Sequence, residues 1–373
     1  MTSQELAELY LLSRSLWWRH ELGLLSDEAV AELVKVLQAA RAEIIAQIEA
    51  EAQGLASISE WTQHRNEQVS TWIDDVLAGT SASVTSFISE ASIGVALASV
   101  STYNSILSFE GKALGVKLLE GLTRDQIRQF FQDQPLGGKL LSEWVQNAFT
   151  TGARDSLLAA IREGVVMGEG YRKLVQRVMA AAGEGFAITQ REATTLVRTY
   201  VQSANTGAQE AVFKRNEDVI KGYKRVETLD NRTCRICALA DGTVYDLHEE
   251  RPALPAHPNC RGIWLPVLKS FRELGINWDD LEEVARPWTI REPGPIGTGR
   301  RKILNYGTTK ENFGGWWASL SEEDKLKTSV GPVRGKLLEE GLVRWEDLSD
   351  KRTGLPYTLE QLGFDEQGNP LGS

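Results

Sequence analysis

The chain has three cysteines among 373 residues, and all of them, Cys234, Cys237 and Cys260, fall within residues 228–266, with His257 three positions before the last. Cys234 and Cys237 form a C-x-x-C pair, and His257 and Cys260 an H-x-x-C pair. A two-residue gap lets one tight turn aim both side chains at a single point, as a tetrahedral zinc ion needs with its ligands roughly 2.0–2.3 Å away. Two such knuckles supply four ligands: Cys234, Cys237, His257 and Cys260. Asp241-Gly242 makes a turn between them, and Pro252, Pro255 and Pro258 keep the second arm extended. Four protein ligands leave no coordination position for a catalytic water, so a metal here is expected to staple the fold. The alternatives are a redox pair at Cys234 and Cys237, or three ordinary buried thiols. A thioredoxin-like site needs a C-x-x-C that opens a helix in a βαβ setting, whereas Leu239 to Asp246 reads as a turn and a short strand.

The pattern around these knuckles is that of a small sheet. Residues 219–229 read as a strand, 243–245 as a short one and 263–265 as another. Their links are too short for crossover helices, which predicts antiparallel pairing. Upstream the chain reads as helical, so the expected fold class is α+β: a mainly helical amino-terminal region followed by a small antiparallel-sheet module stapled by the Cys/Cys/His/Cys site. The expected divisions are a helical bundle or arm over 1–137, a core of helices, short strands and knuckles over 138–270, and a linker with a helical carboxy-terminal region over 271–373. Gly137-Gly138 is the hinge between the first two.

Within the helical part, Ser26 is expected to cap a helix that Asp27 and Glu28 favour electrostatically, and Gly54 to end it. A further helix is expected from Ser59 to Gly79. Residues 84–109 are rich in small residues and mildly apolar; Glu90 and the serines favour a close-packed helix over a membrane span. Thr123 to Gln126 and Thr189 to Glu192 each fit a capping box, the second opening a helix with Ala193, Leu196, Val197, Tyr200, Val201 and Ala204 on one face. The tryptophans at helical spacing are expected to be core, and Arg191, Arg198 and Arg215 to lie on a solvated face. Residues 291–302 read as a loop without the spacing of a phosphate loop, Phe313 to Trp317 as an aromatic anchor, and Ser321 and Arg334 as helix starts.

Charge limits the partners. Residues 1–150 carry 10 Lys and Arg against 19 Asp and Glu, so this region suits protein rather than phosphate backbone. No stretch approaches twenty uninterrupted apolar residues, and three cysteines held in knuckles fit a reducing cytoplasm. Of the four histidines, His20 and His64 sit on amphipathic helices and His257 in the knuckle, which leaves His248 as the one general-base candidate, with no serine elbow beside it.

The run Leu229-Asp230-Asn231-Arg232-Thr233-Cys234, with Cys237, Asp241-Gly242 and His257-Pro258-Asn259-Cys260-Arg261, resembles the signature of the bacteriophage head-morphogenesis proteins typified by phage Mu protein F. The resemblance extends to Arg191–Asn205, Gly222–Val226, Phe313–Trp316 and Gly331–Arg334, over roughly residues 140 to 362. Two departures stand out. Relatives commonly continue Cys-Arg-Cys where this chain has Cys260-Arg261-Gly262, and Arg-Thr-Glu where it has Arg198-Thr199-Tyr200. The residues offer no catalytic set, so no enzymatic activity is expected, and the resemblance implies a minor capsid protein of a tailed phage, bound to the portal protein or major capsid protein. It would act inside the head near the portal, in head assembly or DNA delivery, after assembly in the host cytoplasm. Packaged double-stranded DNA is a further possible partner, and no membrane is involved during assembly. The competing expectations are a zinc-stapled nuclease, which would need a further histidine or asparagine on a following helix, and an assembly chaperone absent from the finished particle.

Overall fold

The computed structural model describes residues 3–53, 63–114, 123–125, 139–167, 169, 171–270, 272–274, 285–292 and 302–371. The expected hinge at Gly137-Gly138, the helix start at Ser59 and the capping box at Thr123 fall on or run into residues outside this set. So does most of the 291–302 loop. The chain divides into two compact units. One comprises residues 1–20, 99–120 and 205–373, and the other residues 21–98 and 121–204.

Helix α1, Ser3–Gln53, is continuous. The expected cap at Ser26 is therefore not a cap. Buried residues recur every three or four positions through Leu22, Ser26, Ala29, Leu33, Leu37, Ala40, Ile44 and Ile48, so the serine sits in phase within the stripe. Each buried Leu or Ile contributes about 1.5–3 kcal/mol, more than a mid-helix serine or glycine costs. The same reasoning corrects the end expected at Gly79, because α2 runs over Gln63–Leu114. Val69, Ile73, Leu77, Val84, Ile88 and Ser92 continue one stripe across that glycine. Residues 67–107 of this helix are long and apolar enough to cross a membrane by length and composition alone, and 44% of the most apolar window is buried within the chain.

In the second unit, α3 (Leu141–Phe149) passes through a π-helical turn, Thr150–Arg154, into α4 (Asp155–Val166). Helix α5, Tyr171–Arg215, runs unbroken through the start expected at Thr189. Thr189 is not its amino-terminal cap. Its hydroxyl donates to the Ala148 carbonyl (3.1 Å) and accepts from the Ala153 amide (3.2 Å), which fastens α5 to the π turn. Two glycines permit that approach: a Cβ on Gly185 would lie 2.8 Å from the Gly152 carbonyl oxygen and 3.0 Å from Ala153 Cα. The cap-like pattern of Thr189 is thus a lateral contact, which local sequence cannot distinguish from a cap.

The first unit carries the strands. β1 (Ile220–Val226) lies between β3 (Val244–Asp246) and β4 (Ile263–Leu268), and both pairings are antiparallel as expected. Tyr223 pairs with Tyr245 on one side and Pro266 on the other, and Arg225 with Trp264. An aromatic chain runs through its core, from Tyr103 to Phe213 (5.9 Å between centroids), Tyr223 (5.6 Å) and Trp264 (5.8 Å). Gln209 on α5 locks it in place by donating to the Tyr103 hydroxyl (2.5 Å) and the Trp264 carbonyl (2.8 Å). Trp18 is buried and donates to Asn205 (2.9 Å), whereas Trp17 is exposed and lies under the Arg14 guanidinium.

A second sheet was not anticipated. β2 (Leu229–Asp230) pairs in parallel with β5 (Arg286–Arg291), which pairs antiparallel with β6 (Ile303–Thr309). Asn231 extends β2 with its side chain, donating to the Arg291 carbonyl and accepting from the Arg291 amide. Over this sheet lie α7 (Phe313–Ala318), α8 (Glu322–Leu326) and α9 (Pro332–Glu339). Phe313, Trp316, Trp317 and Leu320 pack there with Leu229, Ala238 and Ile290 in one apolar core. Ser321 caps α8 as expected, accepting from the Asp324 amide.

Two glycine substitutions should move stability in opposite directions. Gly185→Ala is expected to cost about 1–3 kcal/mol by overpacking the contact with the π turn. Gly79→Ala, exposed with nothing within 4 Å, should gain about 0.5–1 kcal/mol. Urea unfolding of the two variants checks both signs.

Candidate metal centre

The sequence between β2 and β4 folds the two knuckles against each other. Thr228, Asp230 and Thr233 form the turn that enters the first knuckle: the Thr233 hydroxyl donates to the Thr228 carbonyl (2.5 Å). Cys234 then stands at the amino-terminal cap of α6, Arg235–Ala240, and Cys237 on its first turn. The C-x-x-C therefore does open a short helix, contrary to expectation. The strand that follows, β3, is nevertheless antiparallel to β1, so the βαβ setting of a redox motif does not arise. The second knuckle is shaped by Asn259, whose φ of 59° is a left-handed conformation that asparagine tolerates.

The side chains converge. His257 Nε2 lies 3.0 Å from Cys234 Sγ and 3.1 Å from Cys237 Sγ, and Cys237 Sγ lies 3.7 Å from Cys260 Sγ. The donor atoms of Cys234, Cys237 and His257 all fall within 4.8 Å of one another. Cys260 joins a second group, with Cys237 and Glu227. Cys237 is common to both. Sequence reasoning missed Glu227, which stands on no spacing motif and reaches the site only because β1 delivers it there.

Around a tetrahedral zinc ion, sulfur and nitrogen ligands are about 3.5–3.8 Å apart. The Cys237–Cys260 separation matches that value, and the imidazole contacts are shorter, as in a hydrogen-bonded cluster. His257 Nδ1 lies 2.7 Å from the Pro258 carbonyl, so the ring donates there and turns Nε2 toward the sulfurs, the outer-shell arrangement usual for a ligating histidine. The donor set fits a metal ion of zinc's type. Hydrogen bonding from Cys237 holds the Cys234 and Cys260 thiols well below the usual range, with His257 and Arg225 respectively adding to it, while Cys237 itself is pushed up. His257 is pushed up to about 9 by its bond to Cys234.

A buried ionic frame surrounds the cluster. Asp241 accepts from the Glu227 amide (2.7 Å), from the Phe313 amide (2.7 Å) and from both Nη atoms of Arg286. Asp230 is paired with Arg261 through two bonds of 2.7 and 2.8 Å, and with Arg232. Arg225 is paired with Glu227 at 2.6 Å, both side chains being almost fully buried. The place of the departure at Gly262 is accounted for by this last pair: a Cβ there would meet the Glu227 carboxylate and approach Arg225 Nε to 3.0 Å. His248, the general-base candidate, is 78% exposed and lies 3.6 Å from Glu217.

Residues 155–264 match the family model described as Phage Mu protein F like protein. This segment is similar to the phage Mu protein F-like family. The Mu F-like segment begins at α4, includes α5, β1, β2, α6 and β3, and ends in β4, so it contains all four candidate ligands and Glu227. It is shorter than the span expected from residues 140 to 362, and the aromatic anchor at Phe313–Trp316 lies beyond it. Curated proteins and solved structures give no match.

Asp230 gives the frame a pH dependence. Burial opposes its ionisation, but the bonds and charge of Arg261, with Arg232, outweigh this and bring it down from 3.8 to about 2. A carboxyl that ionises more readily when folded stabilises above its unfolded value and loses the effect as pH falls through the folded one. The contribution is about 2 kcal/mol, complete above pH 4 and lost toward pH 2. Asp230→Asn should therefore lower stability by at least about this amount at pH 7, with the gap to wild type closing as the pH is taken below 4 in denaturant titrations.

Proposed function

We propose that the chain is a minor, non-enzymatic structural component of a tailed-phage head, bound to the portal protein or to the inner face of the major capsid protein. It acts in head assembly or in DNA delivery. The observation that carries this reading is the Mu F-like segment, which contains the whole donor cluster, with Cys237 and Cys260 buried and Cys234 and His257 half-buried. In this reading Cys234, Cys237, His257 and Cys260 hold a structural zinc ion. Zinc here supplies cross-linking between α6 and the arm leading to β4, and four protein donors leave no position for a reacting water. The acidic region 1–150 supports protein partners over DNA, although packaged double-stranded DNA would lie close to a protein inside the head. The chain would assemble in the host cytoplasm and remain inside the capsid near the portal.

Quantitative mass spectrometry of purified particles tests the placement. A low, reproducible copy number, near or below that of the portal subunit, together with cross-links to portal or major capsid protein, is the expected result. Presence in empty precursors but not in mature particles would instead indicate an assembly chaperone. Cleavage of double-stranded DNA by the purified chain with added divalent metal would overturn the non-enzymatic reading.

The metal reading has its own test. Purified wild type should contain about one zinc per chain by elemental analysis, and Cys234→Ser/Cys237→Ser should contain none. Losing a structural ion costs several kcal/mol, so the variant should melt far below wild type. Equal melting temperatures with no metal in either protein would refute it.

A further inference from the structure

The second donor group, Glu227, Cys237 and Cys260, already surrounds a positive charge. Arg225 Nε donates to Glu227 Oε1 at 2.6 Å, and Nη2 lies 3.7 Å from Cys237 Sγ and 3.8 Å from Cys260 Sγ. One guanidinium thus touches every member of the group. Its side chain is 2% exposed and that of Glu227 1%. Strand pairing sets Arg225 opposite Trp264, whose ring lies 5.5 Å from the guanidinium carbon. The arginine is therefore fixed by a strand, a carboxylate and an aromatic face, with its Nη2 directed at sulfur.

We infer that Arg225 is the built-in counter-cation of the metal cluster, with Glu227 as the residue that positions it. This rests on the metal reading above. A divalent ion bound by three thiolates and one neutral imidazole carries a net negative charge, and leaving such a charge buried without a partner is unfavourable. Arg225 supplies the partner from within the fold. Its bonds to Cys237 and Cys260 draw electron density from the sulfurs on one side of the cluster, where no solvent reaches to do so. Arg225 is thus not a ligand but an outer-shell group for two ligands at once. Glu227 has a divided effect: it holds the guanidinium in place by its bond to Nε, and its own charge offsets part of the arginine's.

That division predicts opposite signs for two variants. Glu227→Gln retains an oxygen acceptor for Arg225 Nε but removes the competing charge, and should hold metal as tightly as wild type or more tightly. Arg225→Met/Glu227→Gln leaves no buried charge unpaired in the metal-free chain but takes the cation from the thiolates. It should lose about 10- to 100-fold in affinity for Zn²⁺, measured by competition with a chromogenic chelator. With Co²⁺ as the probe, the sulfur-to-metal charge-transfer band should move to lower energy in the double variant alone, a shift that a purely structural role would not cause. Circular dichroism establishes whether each variant is folded. A folded double variant that matches wild type in affinity and spectrum would overturn the inference, as would looser binding in Glu227→Gln if the double variant does not fold. Failure of wild type to bind either ion would instead sink the metal reading itself.

Discussion

The carboxylate of Asp241 is the contact on which the carboxy-terminal half of this protein turns. It is fully enclosed and takes hydrogen bonds from the Glu227 and Phe313 amides and from the Arg286 guanidinium. These donors come from the end of β1, the start of α7 and the first residue of β5, three places far apart in the chain. A buried carboxylate is costly unless every lone pair is met, so its environment admits little variation in how those elements meet. Gly242 follows it with a φ of 84° and sets the turn that sends the chain into β3. The result is a rigid support for α6, and with it for Cys237.

The donor cluster is accordingly a local structure held by non-local means. The two knuckles shape themselves, but their meeting depends on β1 pairing with β4 and on the aromatic chain from Tyr103 to Trp264 beneath them. The Mu F-like segment contains the two knuckles, β1 and the aromatic chain from Phe213 to Trp264, while Tyr103 precedes it and the frame that braces it, Arg286 and Phe313, lies beyond its end. A family fold of modest size is thereby joined to an aromatic layer through a few buried polar bonds.

Three apparent helix boundaries are overruled by contacts from outside the local sequence. Ser26, Gly79 and Thr189 carry the local marks of helix boundaries, yet each lies inside a helix. The first two are carried through by a stripe of buried residues whose summed contribution exceeds the cost of one poor helix former. Thr189 spends its hydroxyl on a neighbouring element, and the glycines that allow this, Gly152 and Gly185, are 33 positions apart in sequence with nothing local to pair them. The short parallel pairing of β2 with β5 also leaves no local mark, because a two-residue strand has no periodicity.

The sequence by itself determined what depends on spacing over a few residues: the approach of Cys234 to Cys237, the antiparallel sheet around them, and the family signature. Those features follow from turn geometry and short links, which neighbouring residues dictate. Only the tertiary structure decided that Cys260 would face Glu227 and Arg225, that Asp241 would join β1, β5 and α7, and that three apparent helix ends would be helix middles. Each of these turns on burial and on charges brought together from distant parts of the chain, where the cost of an unpaired group, not local preference, selects the arrangement.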